Sequence, residues 1–201
     1  MVKTPSGLLT SLVIFFAFNK GIFKMFRRLF FVIVLVVAST ATHASISNSD
    51  DSTILIIGDS LSAGLGVAYN QAWPSLLQDR LNKDGFSIEV VNAGISGDTT
   101  AGGAERLPNL LRKYSPNIVV IELGGNDGLR GTSINSIETN LRSMIEVALD
   151  QGAKILLIGM QLPPNYGNAY ATSFQNLFPE LAGEYSIGLV ERLIQRMMNE
   201  V

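Results

Sequence analysis

Short apolar runs recur along the chain from residue 53 onward and are separated by segments of helical periodicity. The clearest run is Thr53-Ile54-Leu55-Ile56-Ile57, which ends at Gly58-Asp59. A run that is apolar at every position is typical of a strand buried on both faces of a parallel sheet. The same kind of pattern predicts four more strands, at Ser87 to Val91, Asn117 to Leu123, Lys154 to Ile158 and, as a short one, Ser186 to Val190.

The intervals between these strands carry apolar residues three or four positions apart, which predicts helices. One apolar stripe comprises Trp73, Leu76, Leu77 and Leu81, and a longer one comprises Ile137, Leu141, Met144, Ile145, Ala148 and Leu149. Weaker patterns predict a helix over 101–114, which Pro108 is expected to interrupt, and another over 168–184. Alternation of strand and helix predicts an α/β protein with a flavodoxin-like three-layer α/β/α arrangement and a parallel sheet of about five strands.

The first 44 residues precede this pattern and differ from it. Met25-Phe26-Arg27-Arg28 is followed by an apolar run from Leu29 to Ala38, and Thr42-His43-Ala44 offers small residues for cleavage. We expect residues 25–44 to be a secretory signal peptide cleaved after Ala44, which predicts a periplasmic or secreted protein. A membrane anchor is the alternative, but the run falls short of the roughly 20 apolar residues that a span requires.

A second apolar stretch, Leu8 to Phe18, lies within residues 1–24. We interpret residues 1–24 as a mis-set start ahead of Met25, and an extra leader is the alternative. The folded domain is then expected to comprise residues 45–201, with no stable membrane span after cleavage. We expect it to be a monomer.

Charge and composition narrow the classes of partner. Fifteen basic and seventeen acidic side chains give a net charge of −2, which lacks the basic excess typical of nucleic-acid binding. The sequence contains no cysteine, so disulfides, thiolate metal sites and cysteine nucleophiles are excluded for these residues. The balance favours an enzyme acting on a small molecule.

The loop after the first strand contains a candidate nucleophile. In Gly58-Asp59-Ser60-Leu61-Ser62 a serine stands at a strand-to-helix turn, where backbone N–H groups point toward the same space. The segment is not a G-x-S-x-G elbow, because Ser62 occupies the place of the second glycine. It also lacks the glycine and lysine pattern of phosphate-binding loops. An ordinary turn is the alternative interpretation of this segment alone.

Two further loops follow the second and third predicted strands. Gly97 can present its N–H to an oxyanion, and Asn126, in Gly124-Gly125-Asn126-Asp127, can donate from its side-chain amide. The alternatives are a tight turn in which Asp98 or Thr99 caps the next helix, and an Asx turn at Asn126. Because the carboxyl ends of parallel strands share one edge of the sheet, we expect all three loops to converge on one site.

These blocks resemble the SGNH (GDSL) hydrolases, and within them the periplasmic acyl-CoA thioesterase I, lysophospholipase and arylesterase group. The resemblance extends from about Thr53 to Val190. The segments that carry it, besides the three loops, are Ala72-Trp73-Pro74, Ser96-Gly97-Asp98-Thr99, Arg106-Leu107-Pro108, Glu122 to Gly131 and Leu162-Pro163-Pro164-Asn165-Tyr166-Gly167.

The resemblance implies an acyl ester or thioester hydrolase. It implies that Ser60 attacks the acyl carbonyl, while the Ser60 N–H, the Gly97 N–H and the Asn126 amide hold the oxyanion. It implies no metal and no cofactor, and a small-molecule acyl ester or thioester as substrate. We further expect Leu129, Leu162 and Tyr166 to line the rim of the site and contact the substrate.

The family completes its site with a C-terminal D-x-x-H block, which is not found in this sequence. The resemblance stops after Leu189-Val190, and the single histidine, His43, falls in the predicted signal peptide. We therefore expect the fold to be C-terminally truncated and hydrolysis to be absent or strongly impaired. An acyl- or lipid-binding pseudoenzyme is the alternative function. A nucleotide-binding flavodoxin-like module is a third reading, against which the missing phosphate loop argues.

Overall fold

The computed structural model describes residues 52–191 and contains one parallel sheet of five strands. The segments 1–24 and 25–44 discussed above lie outside the described residues. The strand order is β2-β1-β3-β4-β5, and each neighbouring pair is parallel. This confirms the predicted fold class. The strands are β1 (Ser52–Gly58), β2 (Ile88–Asn92), β3 (Ile118–Glu122), β4 (Lys154–Ile158) and β5 (Gly188–Val190).

Helices occupy the predicted intervals, together with two short helices that begin directly after strands. They are α1 (Ser60–Ala63), α2 (Trp73–Lys83), α3 (Thr100–Tyr114), α4 (Gly125–Leu129), α5 (Ile134–Asp150) and α6 (Asn168–Glu184). Single 3₁₀ turns lie at Tyr69–Gln71 and Pro164–Tyr166. Among residues 52–191, none of the helices has the length and apolar character needed to cross a bilayer.

The expected interruption at Pro108 is wrong, because α3 continues through this residue. A proline in a helix removes one backbone hydrogen bond and crowds the preceding turn. Here Leu107 and Leu111, on the same helix, are buried to 0% and 3% exposure. Their packing against the sheet offsets the local cost and keeps α3 in one piece.

Apolar side chains cover both faces of the sheet and form two clusters. On one face the stripes of α3, α5 and α6 pack against alternate residues of β1, β3 and β4. On the other face Leu77 and Leu81 of α2 pack against the remaining residues of these strands. Leu76 and Leu149, at the margins of the predicted stripes, are 39% and 37% exposed. This division produces the predicted three layers.

The strand order places the three loops of interest side by side. β1 lies between β2 and β3, with Ile56 opposite Asn92 and Gly58 opposite Glu122. The segments that follow these strands therefore leave the same edge of the sheet, as expected for parallel strands.

Candidate active site

Ser60 is the first residue of α1, directly after the buried β1. Asp59 caps the helix, since its Oδ1 accepts a hydrogen bond from the Leu61 N–H at 3.0 Å. The helix ends after one turn at Gly64, which adopts a left-handed conformation with φ of 76°. First-turn N–H groups of a helix have no partner within that helix. The Ser60 N–H is thus available to a ligand at the sheet edge, and its side chain is half-buried.

A buried carboxyl group lies beneath this turn. Glu122, the last residue of β3, is 0% exposed. Its Oε2 accepts hydrogen bonds from Ser62 Oγ at 2.6 Å and from the Asp59 N–H at 3.3 Å. Its Oε1 has no hydrogen-bond partner among the described residues. Gly58 makes room for this arrangement, because a Cβ there would overlap Ser62 Oγ and lie 2.7 Å from Glu122 Oε2.

Burial shifts the titration of both acids at the turn. Burial, and after it the negative charge of Asp59, raise the pKa of Glu122 to about 8, against hydrogen bonds from Ser62 and Asp59 that lower it. Burial also raises the pKa of Asp59 above its ordinary value, against hydrogen bonds from the Leu61 N–H and the Ser60 side chain. Glu122 is therefore mostly a neutral carboxylic acid near pH 7.

The loop after β2 presents Gly97 at the surface. Gly97 has φ of 81°, in the left-handed region that glycine tolerates without strain. Within residues 52–191 its N–H has no hydrogen-bond acceptor. Thr99 caps α3 by accepting a hydrogen bond from the Gly102 N–H at 3.3 Å. The predicted capping role thus coexists with a free Gly97 N–H.

Arg106 of α3 ties this loop to the loop after β1. Its guanidinium forms an ion pair with Asp98, with 2.8 Å between Nη2 and Oδ2. The same side chain donates to the Ala93 carbonyl from Nη1 at 2.6 Å and to the Gly58 carbonyl from Nη2 at 3.4 Å. One cation therefore fixes backbone from the ends of both β1 and β2.

Asn126 connects the third loop to the other two. Its Nδ2 donates to Asp59 Oδ2 at 3.1 Å and to the Asp98 carbonyl at 2.9 Å. Since Asp59 precedes Ser60 and Asp98 follows Gly97, these two bonds gather all three predicted site residues at one edge. Both amide protons of Asn126 have acceptors in this arrangement, so a ligand oxygen would replace Asp59 Oδ2 or the Asp98 carbonyl to receive one.

A second buried acid, Asp127, anchors the other side of α4. It is 2% exposed, and its two oxygens accept from the Thr100 N–H at 2.9 Å and the Thr100 Oγ1 at 2.6 Å. Asn140 Nδ2 in turn donates to Thr100 Oγ1 at 3.1 Å. Asp127 therefore joins α4 to the N-terminus of α3 and to α5. Within residues 52–191 no group of three or more acidic side chains is arranged to hold a metal ion.

The three predicted rim residues lie near one another. Leu129, at the end of α4, is 51% exposed. The Tyr166 hydroxyl donates to the Leu129 carbonyl at 3.2 Å. Leu162 packs over Gly128, where an added Cβ would lie 3.2 Å from its Cδ1. Their contact with a substrate stays a prediction.

Three residues at the site were not assigned a role from the sequence: Asp59, Arg106 and Glu122. In the sequence Glu122 belongs to a predicted strand and to a segment that carries the family resemblance, and Arg106 belongs to another such segment. A single acid inside an otherwise apolar buried run is a signal that could have marked Glu122, because burying a carboxyl group is costly.

Several known proteins are similar in sequence to this chain over 138 residues. The family model of the GDSL-like Lipase/Acylhydrolase family matches residues 56–195. Esterase TesA of Pseudomonas aeruginosa is 51% identical over 138 residues, which are 69% of this chain and 69% of that protein. Thioesterase 1/protease 1/lysophospholipase L1 of Escherichia coli K12 is 44% identical over 138 residues, which are 69% of this chain and 65% of that protein.

A solved structure agrees with the fold. The crystal structure of AlinE4, a SGNH-hydrolase family esterase, superimposes with a TM-score of 0.70 at 37% identity, covering 75% of this chain and 81% of that one. The parallel sheet, the strand-end loops and the matched span point to one conclusion. This chain belongs to the GDSL-like Lipase/Acylhydrolase family, whose members hydrolyse ester bonds.

Proposed function

We propose that this protein is an exported serine hydrolase of acyl esters and thioesters, with Ser60 as its nucleophile. The observation that carries the proposal is the pair of hydrogen bonds from Asn126 Nδ2 to Asp59 and Asp98, which sets the amide beside Ser60 and Gly97. The names of two relatives, an esterase and a thioesterase/lysophospholipase, support the substrate class. Residues 25–44, outside the described part of the chain, serve in this proposal as the export signal, which implies a periplasmic or secreted location.

The chemistry follows from the positions of the donors. Ser60 Oγ attacks the acyl carbonyl carbon as its proton passes to the Asp59 carboxylate, and the carbonyl oxygen becomes an oxyanion. The N–H groups of Ser60 and Gly97 and the Asn126 amide donate to this oxygen. Asn126 gives up its bond to Asp59 Oδ2 as the negative charge develops. Collapse of the intermediate expels the alcohol or thiol, which takes up that proton, and water then hydrolyses the acyl-serine ester to release the carboxylic acid and restore the Ser60 hydroxyl.

A serine hydroxyl is a weak nucleophile near neutral pH unless a base activates it. The sequence has one histidine, His43, so the described part of the chain offers Ser60 no imidazole. The Ser60 side chain instead interacts with Asp59, and this interaction lowers the pKa of the Asp59 carboxyl group against the effect of burial. A carboxylate is a weaker base than an imidazole near pH 7. Removal of triad members in serine proteases leaves roughly 10³- to 10⁴-fold catalysis over water. We expect these 201 residues to retain slow turnover of this order.

The decisive experiment compares the full chain with Ser60→Ala and with Ser143→Ala, an exposed serine on α5 that serves as the matched control. Hydrolysis of p-nitrophenyl esters and of an acyl thioester should fall to the uncatalysed rate in Ser60→Ala and stay unchanged in Ser143→Ala. Mass spectrometry should locate a fluorophosphonate adduct on Ser60.

Two results would change the assignment. Equal turnover by the wild type and Ser60→Ala would refute the nucleophile. Saturable binding of a fatty acid without turnover or labelling would favour an acyl-binding pseudoenzyme.

Repeating the assay with acyl chains of increasing length in Leu129→Ala tests the proposed rim, since an exposed apolar contact should affect long chains more than short ones.

A further inference from the structure

Glu122 occupies a position that the proposed chemistry does not use. Its carboxyl group is fully buried, touches no substrate space and forms no ion pair within residues 52–191. Fully buried acids without a cation are rare, because loss of hydration disfavours the charge. An apolar residue would fill the same place at the end of β3 at lower cost. The presence of an acid at this position is therefore best explained by the hydrogen bonds that Glu122 accepts.

Those contacts all lead to the nucleophile turn. Oε2 accepts from the Asp59 N–H and from Ser62 Oγ, on either side of Ser60 in the sequence. Ser62 is itself 0% exposed, so Glu122 supplies the partner that its buried hydroxyl requires. The Asp59 side chain in turn receives Asn126 Nδ2 at 3.1 Å. A shift of Glu122 would thus move both Ser60 and the acceptor that orients Asn126.

The space around the carboxyl group allows little relaxation. Gly58 leaves the gap that Ser62 and Glu122 fill, and β1 and β3 are paired at this level. The charged groups around this region are Asp59 on the turn, Asp98 and Asp127, whose charges raise the pKa of Asp59, and Arg106 of α3. Arg106 reaches the Gly58 carbonyl at 3.4 Å and is paired with Asp98. Asp59 is the one whose charge acts directly on Glu122.

We propose that Glu122 is a positioning residue for the reaction, which holds the Ser60 turn and, through Asp59, the Asn126 amide in the geometry that the oxyanion requires. It acts as an uncharged acid, because a negative charge there would repel Asp59 and draw the turn out of place. This inference rests on the proposed function of Ser60. It goes beyond that function by assigning a role to a group that never meets the substrate.

The test measures the second-order rate at which a fluorophosphonate labels Ser60 in the full chain. Variants are Glu122→Gln, which keeps the acceptor oxygen, Glu122→Leu, which removes it, and Ser62→Ala. Ile118→Ala, at the opposite end of β3, controls for lost stability alone. We expect Glu122→Leu to label about tenfold or more slowly, since small displacements of reacting groups have effects of this size. Glu122→Gln should stay within about threefold, and Ile118→Ala should label at the wild-type rate below its melting temperature.

A pH series, limited to conditions in which circular dichroism shows that both proteins are folded, separates positioning from a general effect on folding. The ratio of wild-type to Glu122→Gln labelling rates cancels the intrinsic reactivity of serine and probe. This ratio should fall as the pH rises through about 8, the pKa of Glu122, because only the wild type acquires the buried charge. A ratio that stays constant from pH 6 to 10 would overturn the proposal, as would wild-type labelling of a folded Glu122→Leu protein.

Failure of the proposed function gives a different result. If no variant labels at Ser60, the nucleophile assignment fails, and amide hydrogen exchange of residues 59–62 decides the positioning claim. Faster exchange there in Glu122→Leu and Ser62→Ala, with Ile118→Ala unchanged at these amides, supports it. Equal exchange in all variants refutes it. Each arm thus bears on one proposal independently of the other.

Discussion

Two buried acids lie five positions apart around the end of β3 and are held in opposite ways. Asp127 receives two hydrogen bonds from Thr100, one on each oxygen, at the N-terminus of α3. Glu122 receives its hydrogen bonds on one oxygen, and the other has no partner among the described residues. A helix N-terminus favours a negative charge, whereas a sheet interior does not.

The difference shows that burial alone does not define what an acid does. Asp127 is a structural link between helices, and its contacts are suited to a carboxylate. Glu122 sits under the turn that carries Ser60, and burial raises its pKa to about 8. The site edge therefore contains one acid with hydrogen bonds on both oxygens and one acid that burial keeps mostly neutral near pH 7.

The largest expected effect is on the pH dependence of stability. The folded-state pKa of Glu122, about 8, lies above its ordinary value of 4.5, so the folded state holds a proton that the unfolded chain releases. The stability contributed by this proton is present below about pH 4.5 and lost as the pH rises toward about 8. We expect the free energy of unfolding to fall by roughly 3 to 5 kcal/mol across this window relative to Glu122→Gln.

Urea unfolding of both proteins at several pH values measures this difference. Asp59 also titrates with a raised pKa, but it is present in both proteins, so the difference curve isolates Glu122. Parallel curves for the wild type and Glu122→Gln would show that folding does not raise the pKa of Glu122.

Removal of the other acid should have a somewhat smaller effect. Asp127→Ala leaves the N–H and hydroxyl of buried Thr100 without their acceptor, and hydrogen bonds to charged groups are the stronger kind. We expect a loss of about 2 to 4 kcal/mol in the free energy of unfolding. Asp150→Ala, at the exposed end of α5, is the matched control and should stay close to the wild type. A loss no greater than that of the control would mean that the Thr100 contacts contribute nothing.

The smallest of the three effects concerns Gly58, whose missing side chain leaves room for the buried Glu122 carboxyl group. Gly58→Ala places a methyl group against Ser62 Oγ and Glu122 Oε2, and overpacking of this kind costs about 1 to 3 kcal/mol. Gly183→Ala, in α6, meets no atom within 4 Å and should be neutral or stabilising, as alanine favours helices. Thermal melts of both variants test this. Equal melting temperatures would imply that the Ser62–Glu122 pair moves aside freely.

The strands and helices could be predicted from the sequence because their periodicity is strong and each element is short. Lys154 to Ile158 and 168–184 agree with the structure at both ends. The effect of Pro108 could not be predicted, since it depends on the packing of Leu107 and Leu111. Strand order could not be predicted either, because hydrophobic periodicity does not indicate which strands are neighbours in the sheet.

The predicted site residues also converge, but their connections were invisible in the sequence. The contacts of Arg106 with Ala93 and Gly58 span 13 and 48 positions, and those of Asn126 with Asp59 and Asp98 span 67 and 28. No local pattern encodes such distances. The sequence does contain one unusual feature, an acid at position 122 within an apolar strand. The role of Glu122 follows only from its hydrogen-bond partners in the structure.

The adjacency of β2, β1 and β3 has a consequence for the synthesis of the protein on the ribosome. The proposed nucleophile and all three proposed oxyanion donors lie between residues 58 and 126, together with Asp59, Arg106 and Glu122. Chains are synthesised from the N-terminus. The three strands that carry this edge are therefore synthesised before β4 and β5. The residues that are proposed to attack the acyl group and to bind its oxyanion therefore lie in one continuous stretch of the nascent chain.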